Sequence, residues 1–90
     1  MENKELIRGI LTSVLRELNI PNKLKSDITK EDAMTIQQKA SSLYCYNFVK
    51  HQTLGRAIDL LTSAMYKENE TERQRLFKFA EETYIEFLNQ

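Results

Sequence analysis

A chain of 90 residues has room for one hydrophobic core, so we expect a single domain over residues 1–90. The 13 basic and 13 acidic side chains cancel and are interspersed, which disfavours nucleic acid because its affinity depends mostly on concentrated positive charge. The N-terminal segment lacks the uninterrupted apolar stretch of a signal peptide, and no apolar run is long enough for a membrane span.

The first predicted helix covers about residues 4–18. Its apolar residues recur at helical spacing along one broad face, whereas Ser13 and Arg16 lie on the opposite, polar face. Pro21 lacks an amide hydrogen and disfavours helix in the residue before it, so we expect the helix to end at residues 19–22. We interpret this helix as one wall of a bundle; a recognition helix with an apolar binding face is the alternative.

The second predicted helix, about residues 30–51, is the element around which we expect the others to pack. Thr29 is a suitable N-cap, and the acidic residues after it suit the positive end of the helix dipole. A narrow stripe of small and medium-sized side chains follows: Ala33, Ile36, Ala40 and Leu43. Residues 44–49 are apolar on nearly every side, so we expect them to be buried; an exposed aromatic patch that binds a partner is the alternative.

Two further helices are predicted, at about residues 54–66 and 72–88. Thr53 is expected to cap the third helix after a break in the apolar pattern. Thr71 and Gln74 match the capping-box pattern, so the fourth helix is expected to begin there. The side chains that face inward by their spacing are Leu54, Ala57, Ile58, Leu61, Met65, Leu76, Phe77, Ala80, Tyr84, Phe87 and Leu88.

These patterns together predict an all-α fold, a small compact bundle of about four helices. Proteins of this length have a free energy of unfolding of about 5–13 kcal/mol. This free energy is small enough that binding of a partner or of a second copy of the chain could supply a substantial part of it. A dimer is therefore kept as an open alternative.

Residues that could carry catalysis or bind a metal are few. Cys45 and His51 are the only cysteine and histidine, and their spacing would place them on well-separated faces of one helix. Two isolated glycines cannot form a phosphate-binding loop. We expect no enzyme activity, metal or cofactor, with Cys45 as a small apolar filler and His51 as a helix-end residue. A lone cysteine cannot form an internal disulfide, so a reducing cytoplasm is the expected location.

One short run resembles a DNA-binding element. Residues 51–58, His-Gln-Thr-Leu-Gly-Arg-Ala-Ile, are similar to the start of the recognition helix in helix-turn-helix repressors. In that family the glutamine and threonine reach the major groove or its phosphates, so the resemblance implies Gln52, Thr53 and Arg56 as DNA-binding residues. The chain departs from the family at Tyr44 and Phe48, where the family has a small residue and a turn glycine. The resemblance of residues 51–58 gives a DNA-binding regulator as an alternative function.

The function favoured by these patterns is non-catalytic binding of another protein, as an inhibitor, adaptor or assembly factor, or of a second copy of the chain. This interpretation depends on the missing chemistry and on apolar residues beside the buried stripes of the predicted helices. The candidate partner-binding residues are Tyr46, Val49, Leu60, Phe79 and Ile85. Bacteriocin-immunity proteins have a similar size and helical architecture, which makes an immunity protein a further alternative.

Overall fold

The computed structural model describes residues 1–45 and 48–90, which form four α-helices and one 3-10 helix. In chain order these are α1 (Asn3–Glu17), α2 (Lys30–Lys39), the 3-10 segment (Ala40–Cys45), α3 (Val49–Tyr66) and α4 (Glu70–Leu88). The predicted all-α bundle is confirmed. None of the helices within the described ranges is long and apolar enough to cross a membrane.

The core lies between an α3–α4 hairpin and the two earlier helices. α3 and α4 run antiparallel, since Lys50 at the start of α3 reaches the ring of Phe87 at the end of α4, with 5.4 Å between Nζ and the ring centroid. The buried apolar side chains are Leu6, Ile10, Leu11, Val14, Leu15, Ala33, Ile36, Ala40, Leu43, Leu54, Ala57, Ile58, Leu61, Ala64, Phe77, Ala80, Tyr84 and Phe87. The stripe predicted at residues 33–43 is therefore buried as expected, whereas Leu88 is 53% exposed and its predicted inward position is wrong.

α1 ends in a Schellman turn. Asn19 adopts a left-handed conformation, with φ 56°. The amide of Ile20 donates to the carbonyl oxygen of Leu15 at 2.9 Å, and the amide of Asn19 donates to that of Arg16 at 3.1 Å. Asparagine tolerates this conformation better than most residues. The turn thus ends the helix before Pro21 is reached.

Ser13 is buried, although its spacing predicts the polar face of α1. Its Oγ lies 3.1 Å from the hydroxyl oxygen of Tyr84, so each side chain supplies a hydrogen-bonding partner for the other in the core. Gly9 makes room for the same ring, because a Cβ there would lie 3.1 Å from Cε2 of Tyr84. Two small residues of α1 therefore accommodate one tyrosine of α4.

α2 begins at the predicted cap. The amide of Asp32 donates to Oγ1 of Thr29 at 3.1 Å, and the amide of Thr29 donates to the Asp32 carboxylate at 3.2 Å. This reciprocal pair is a capping box. It fixes the direction in which the chain enters α2.

The prediction of one helix over residues 30–51 is wrong beyond Lys39. The backbone tightens into the 3-10 segment, and Phe48 is extended, with φ −96° and ψ 128°. The hydroxyls of Ser41 and Ser42 each donate at 3.0 Å to the carbonyl oxygen three residues earlier. Such side-chain bonds compete with the α-helical pattern, which explains why the helix changes here despite the lack of glycine or proline.

α3 begins at Val49, so the predicted break and the Thr53 cap are wrong. Thr53 lies inside the helix, is fully buried, and donates its hydroxyl to the carbonyl oxygen of Val49 at 2.9 Å. A threonine that bonds to the preceding turn in this way does not interrupt the helix. His51 consequently lies in the first turn of α3 and not at the end of an earlier helix.

The start of α4 also differs from the prediction. Oδ1 of Asn69 accepts a hydrogen bond from the amide of Glu72 at 2.9 Å, so Asn69 is the N-cap. The predicted capping box of Thr71 and Gln74 does not form, because the helix has already begun at Glu70. Two overlapping capping patterns occur here, and the earlier one is used.

Candidate functional site

Residues 44–49 are exposed wherever the structure describes them. The exposed residues of this segment are Tyr44, Cys45, Phe48 and Val49. The burial prediction is wrong for them because α2 ends early and the chain no longer follows the core, and Cys45 is not an apolar filler. Tyr46 and Asn47 lie outside the described residues. Phe48, 66% exposed, belongs to the exposed aromatic patch that was the alternative for this segment, but it is not among the predicted partner-binding residues.

Tyr44 packs against α3 at Gly55. A Cβ at Gly55 would lie 2.8 Å from Cζ of the tyrosine, so the ring occupies the space that any larger residue would need. The Tyr44 hydroxyl donates to Oδ2 of Asp59 at 2.7 Å, and Nε2 of Gln37 donates to Oδ1 at 2.7 Å. Asp59 therefore links α2, the 3-10 segment and α3.

The pKa of Tyr44 provides a first prediction. Partial burial, the hydrogen bond to Asp59 and the negative charge of Asp59 together raise this pKa from 10.0 to about 12. Because the folded-state pKa is the higher one, we expect the contribution of Tyr44 to stability to be complete below pH 10. It should be lost as the pH rises towards 12.

Tyrosinate absorbance measured on the wild type and on Tyr44→Phe isolates this phenol, within the range where the circular dichroism is native. The absorbance of the wild type minus that of Tyr44→Phe is the contribution of Tyr44, and it should rise with a midpoint near pH 12. When both proteins also carry Asp59→Asn, the midpoint should lie closer to pH 10. A wild-type difference that titrates at 10 would contradict the arrangement of Tyr44 and Asp59.

The outward side of the α3–α4 hairpin forms one surface. Nη2 of Arg56 lies 3.9 Å from Oε1 of Glu86, so the two helices meet there. Val49 lies two turns before Arg56 and Leu60 one turn after it, within about 40° of Arg56 around α3. Phe79 lies two turns before Glu86, within about 20° of it around α4. We call the surface made by Val49, Gln52, Arg56, Leu60, Phe79 and Glu86 the hairpin face.

The predicted partner-binding residues fall into three groups. Val49 and Phe79, 65% and 51% exposed, lie on the hairpin face. Leu60 also belongs to the hairpin face, but it is half-buried and packs against the core. Ile85 is 42% exposed but adjoins Glu86 in sequence, which turns it about 100° away around α4. Tyr46 lies outside the described residues.

The DNA-binding alternative loses one of its residues. Gln52 and Arg56 are exposed on the hairpin face, but Thr53 is fully buried and cannot reach a DNA groove. Residues 40–48 separate α2 from α3, whereas the turn of a helix-turn-helix takes about 3–4 residues. The charge of Arg56 also has an acidic neighbour in Glu86.

Cys45 and His51, the residues considered for catalysis or metal binding, have different surroundings. Cys45 is exposed in the 3-10 segment, and Nε2 of His51 lies 3.9 Å from a carboxylate oxygen of Glu17. Within the described residues, no group of three or more His, Cys, Asp or Glu side chains is placed to hold a metal ion. No protein-family model matches the chain, and neither a curated protein nor a solved structure shows significant similarity to it.

Proposed function

We propose that this protein is a non-catalytic binding module that acts in the cytoplasm as an inhibitor, adaptor or assembly factor, and that the hairpin face contacts its partner. The observation that supports this most is the position of Val49 and Phe79. Both are more than half exposed, and both lie on the same side of one helical hairpin. Single exposed apolar residues are common on proteins, so the proposal depends on these two lying along one side of the same hairpin.

The composition of the hairpin face suits a protein partner. Aromatic and arginine side chains are favoured in the centres of interfaces, and this face carries one of each in Phe79 and Arg56. Arg56 and Glu86 lie between the apolar ends, where a partner could exchange or extend the ion pair. The free thiol of Cys45, exposed in the described structure, suits the proposed reducing location.

The hairpin provides a rigid support for this face. Ala57, Ala64 and Ala80 are fully buried in α3 and α4, and small side chains at such positions allow close helix packing. A preorganised surface loses little conformational entropy on binding. Helical geometry places Val49 and Phe79 about 20 Å apart along the hairpin, since each lies two turns from the Arg56–Glu86 pair in opposite directions. We therefore propose an amphipathic helix, laid along the hairpin, as the binding element of the partner.

Acidic substitutions on the hairpin face test this proposal. We expect Val49→Asp and Phe79→Asp each to weaken partner binding about 30-fold or more, as loss of an apolar anchor does. Both sites are exposed, and aspartate in the first turn of α3 suits the helix dipole, so unfolding free energies should change by about 0.5 kcal/mol or less. Affinity purification of the tagged protein from its native cells, with quantitative mass spectrometry, measures the first effect and thermal melts the second.

Ile85→Asp is the matched control, because Ile85 is also exposed on α4 but lies off the hairpin face. The Ile85→Asp variant should bind the partner as the wild type does. If Ile85→Asp alone lost partner binding, the interface would lie elsewhere on α4. Light scattering at two protein concentrations identifies the case in which the partner is a second copy, since Val49→Asp would then reduce the mass to that of the monomer. A large fall in the melting temperature of Val49→Asp would show that Val49 stabilises the fold instead of contacting a partner.

A further inference from the structure

A groove lies between the end of α1, the connection to α2, and α2 itself, and no residue of α3 or α4 lines it. Its volume is about 370 Å³. Small-molecule sites usually occupy about 300–1,000 Å³, so the groove suits a small ligand. It is separate from the hairpin face and independent of the function proposed for that face.

The floor of the groove is apolar. Leu15 and Ile36 belong to the core, with 5% and 8% exposure. Ile20 and Leu24 pack against the core from the connecting segment. Leu15 and Ile36 close the bottom of the groove, and the partly buried Ile20 and Leu24 supply apolar surface from which a ligand can displace water.

The rim of the groove is positively charged. Lys23, Lys25 and Lys39 line it, together with one acidic residue, Asp32. Among the described residues, the ion pairs involve none of these three lysines. The Asp32 carboxylate already accepts the hydrogen bond from the amide of Thr29. Three lysines and one aspartate therefore give the rim a net positive charge beside the apolar floor.

The walls of the groove are held in place without a ligand. Oδ1 of Asn22 accepts a hydrogen bond from the amide of Leu24 at 3.0 Å. The guanidinium of Arg8 donates to the carbonyl oxygens of Lys25 and Ser26. The Schellman turn of α1 and the capping box of α2 fix the two ends of the segment. A preformed site avoids the entropic cost of ordering a loop on binding.

We propose that this groove binds a small amphipathic carboxylate, such as a medium-chain fatty acid. The aliphatic chain lies on the floor, and the carboxylate faces the rim lysines, where it keeps part of its hydration. Charge complementarity selects an anion over a cation of the same shape. The floor selects an alkyl carboxylate over a small inorganic anion, which would leave the apolar surface in water.

Sodium octanoate and octyltrimethylammonium are matched probes, with the same chain and opposite head-group charge. In ¹H–¹⁵N correlation spectra of the full chain, octanoate should produce saturable shifts at the amides of residues 20, 22–25 and 35–39. The cationic probe should produce no saturable shift there. Saturable binding of both probes at this groove with equal affinity would overturn the proposal, as would octanoate shifts confined to the hairpin face.

Two double variants separate the rim from the overall charge. Lys23→Gln with Lys39→Gln should raise the dissociation constant of octanoate by about two- to five-fold per lysine, the usual effect of an exposed charge pair. Lys67→Gln with Lys78→Gln changes the net charge equally, but these lysines do not line the groove. This control should leave the dissociation constant unchanged. If octanoate bound both double variants equally weakly, the effect would come from the net charge of the protein, which would contradict a site at the rim.

Discussion

Replacement of Phe87 by alanine is expected to lower the free energy of unfolding by about 3–5 kcal/mol. Phe87 is 3% exposed, and its ring centroid lies 6.0 Å from that of Tyr84 with the rings nearly parallel. Nζ of Lys50 lies over the ring of Phe87, 5.4 Å from its centroid. Truncation therefore removes an apolar anchor and the contact that joins the end of α4 to the start of α3.

Phe79→Ala is the control for this substitution, since it is the same chemical change on the same helix at a 51% exposed position. Denaturant titration should show a loss of about 0.5 kcal/mol or less for this control. The two variants together test which face of α4 is buried. Equal losses at the two positions would contradict the packing of α4 described above.

Replacement of Leu43 by alanine is expected to cost about 2–5 kcal/mol. Leu43 is fully buried, although the chain around it has left α2 for the 3-10 segment. The side chain therefore anchors this segment to the core, and its removal leaves a cavity. The loss is a large part of the total stability of about 5–13 kcal/mol expected for a domain of this size.

Leu88→Ala is the matched control for Leu43→Ala, because Leu88 is 53% exposed at the end of α4. Thermal melts should shift by at least about 8 °C for Leu43→Ala and by only a few degrees for Leu88→Ala. A small shift for Leu43→Ala would mean that the 3-10 segment is only loosely attached.

The elements that could be predicted from sequence are those specified by nearby residues. Thr29 and Asp32 form their capping box within one turn, so the start of α2 follows from a short pattern. Asn69 and Thr71 offer two such patterns that overlap, and local chemistry alone does not choose between them. The use of Asn69 lengthens α4 at its N-terminus.

Contacts between distant residues were not predictable. Ser13 belongs to the polar face of α1 by spacing, and its burial depends on a hydrogen bond to Tyr84, 71 residues away in the chain. The burial of Thr53 likewise depends on α3 beginning before it, which no proline or glycine signals. Tertiary packing overrides the local preference in both cases.

The candidate site was predictable as a set of residues but not as a surface. Val49 and Phe79 were identified because they lie off the predicted apolar stripes. Only the Arg56–Glu86 contact shows that they share one side of a hairpin, and that Ile85 does not. The groove had no signal in the sequence, because its connecting segment has neither helical nor strand periodicity.

The glycine beneath Tyr44 restricts the order in which this sequence can change. Alanine is a better helix former than glycine by about 1 kcal/mol, so an isolated helix would gain from Gly55→Ala. In this fold the new methyl group would lie 2.8 Å from Cζ of Tyr44 and would displace the ring from its hydrogen bond with Asp59. Alanine at position 55 therefore becomes advantageous only after position 44 carries a shorter side chain. Among homologous sequences, the two positions should consequently vary together.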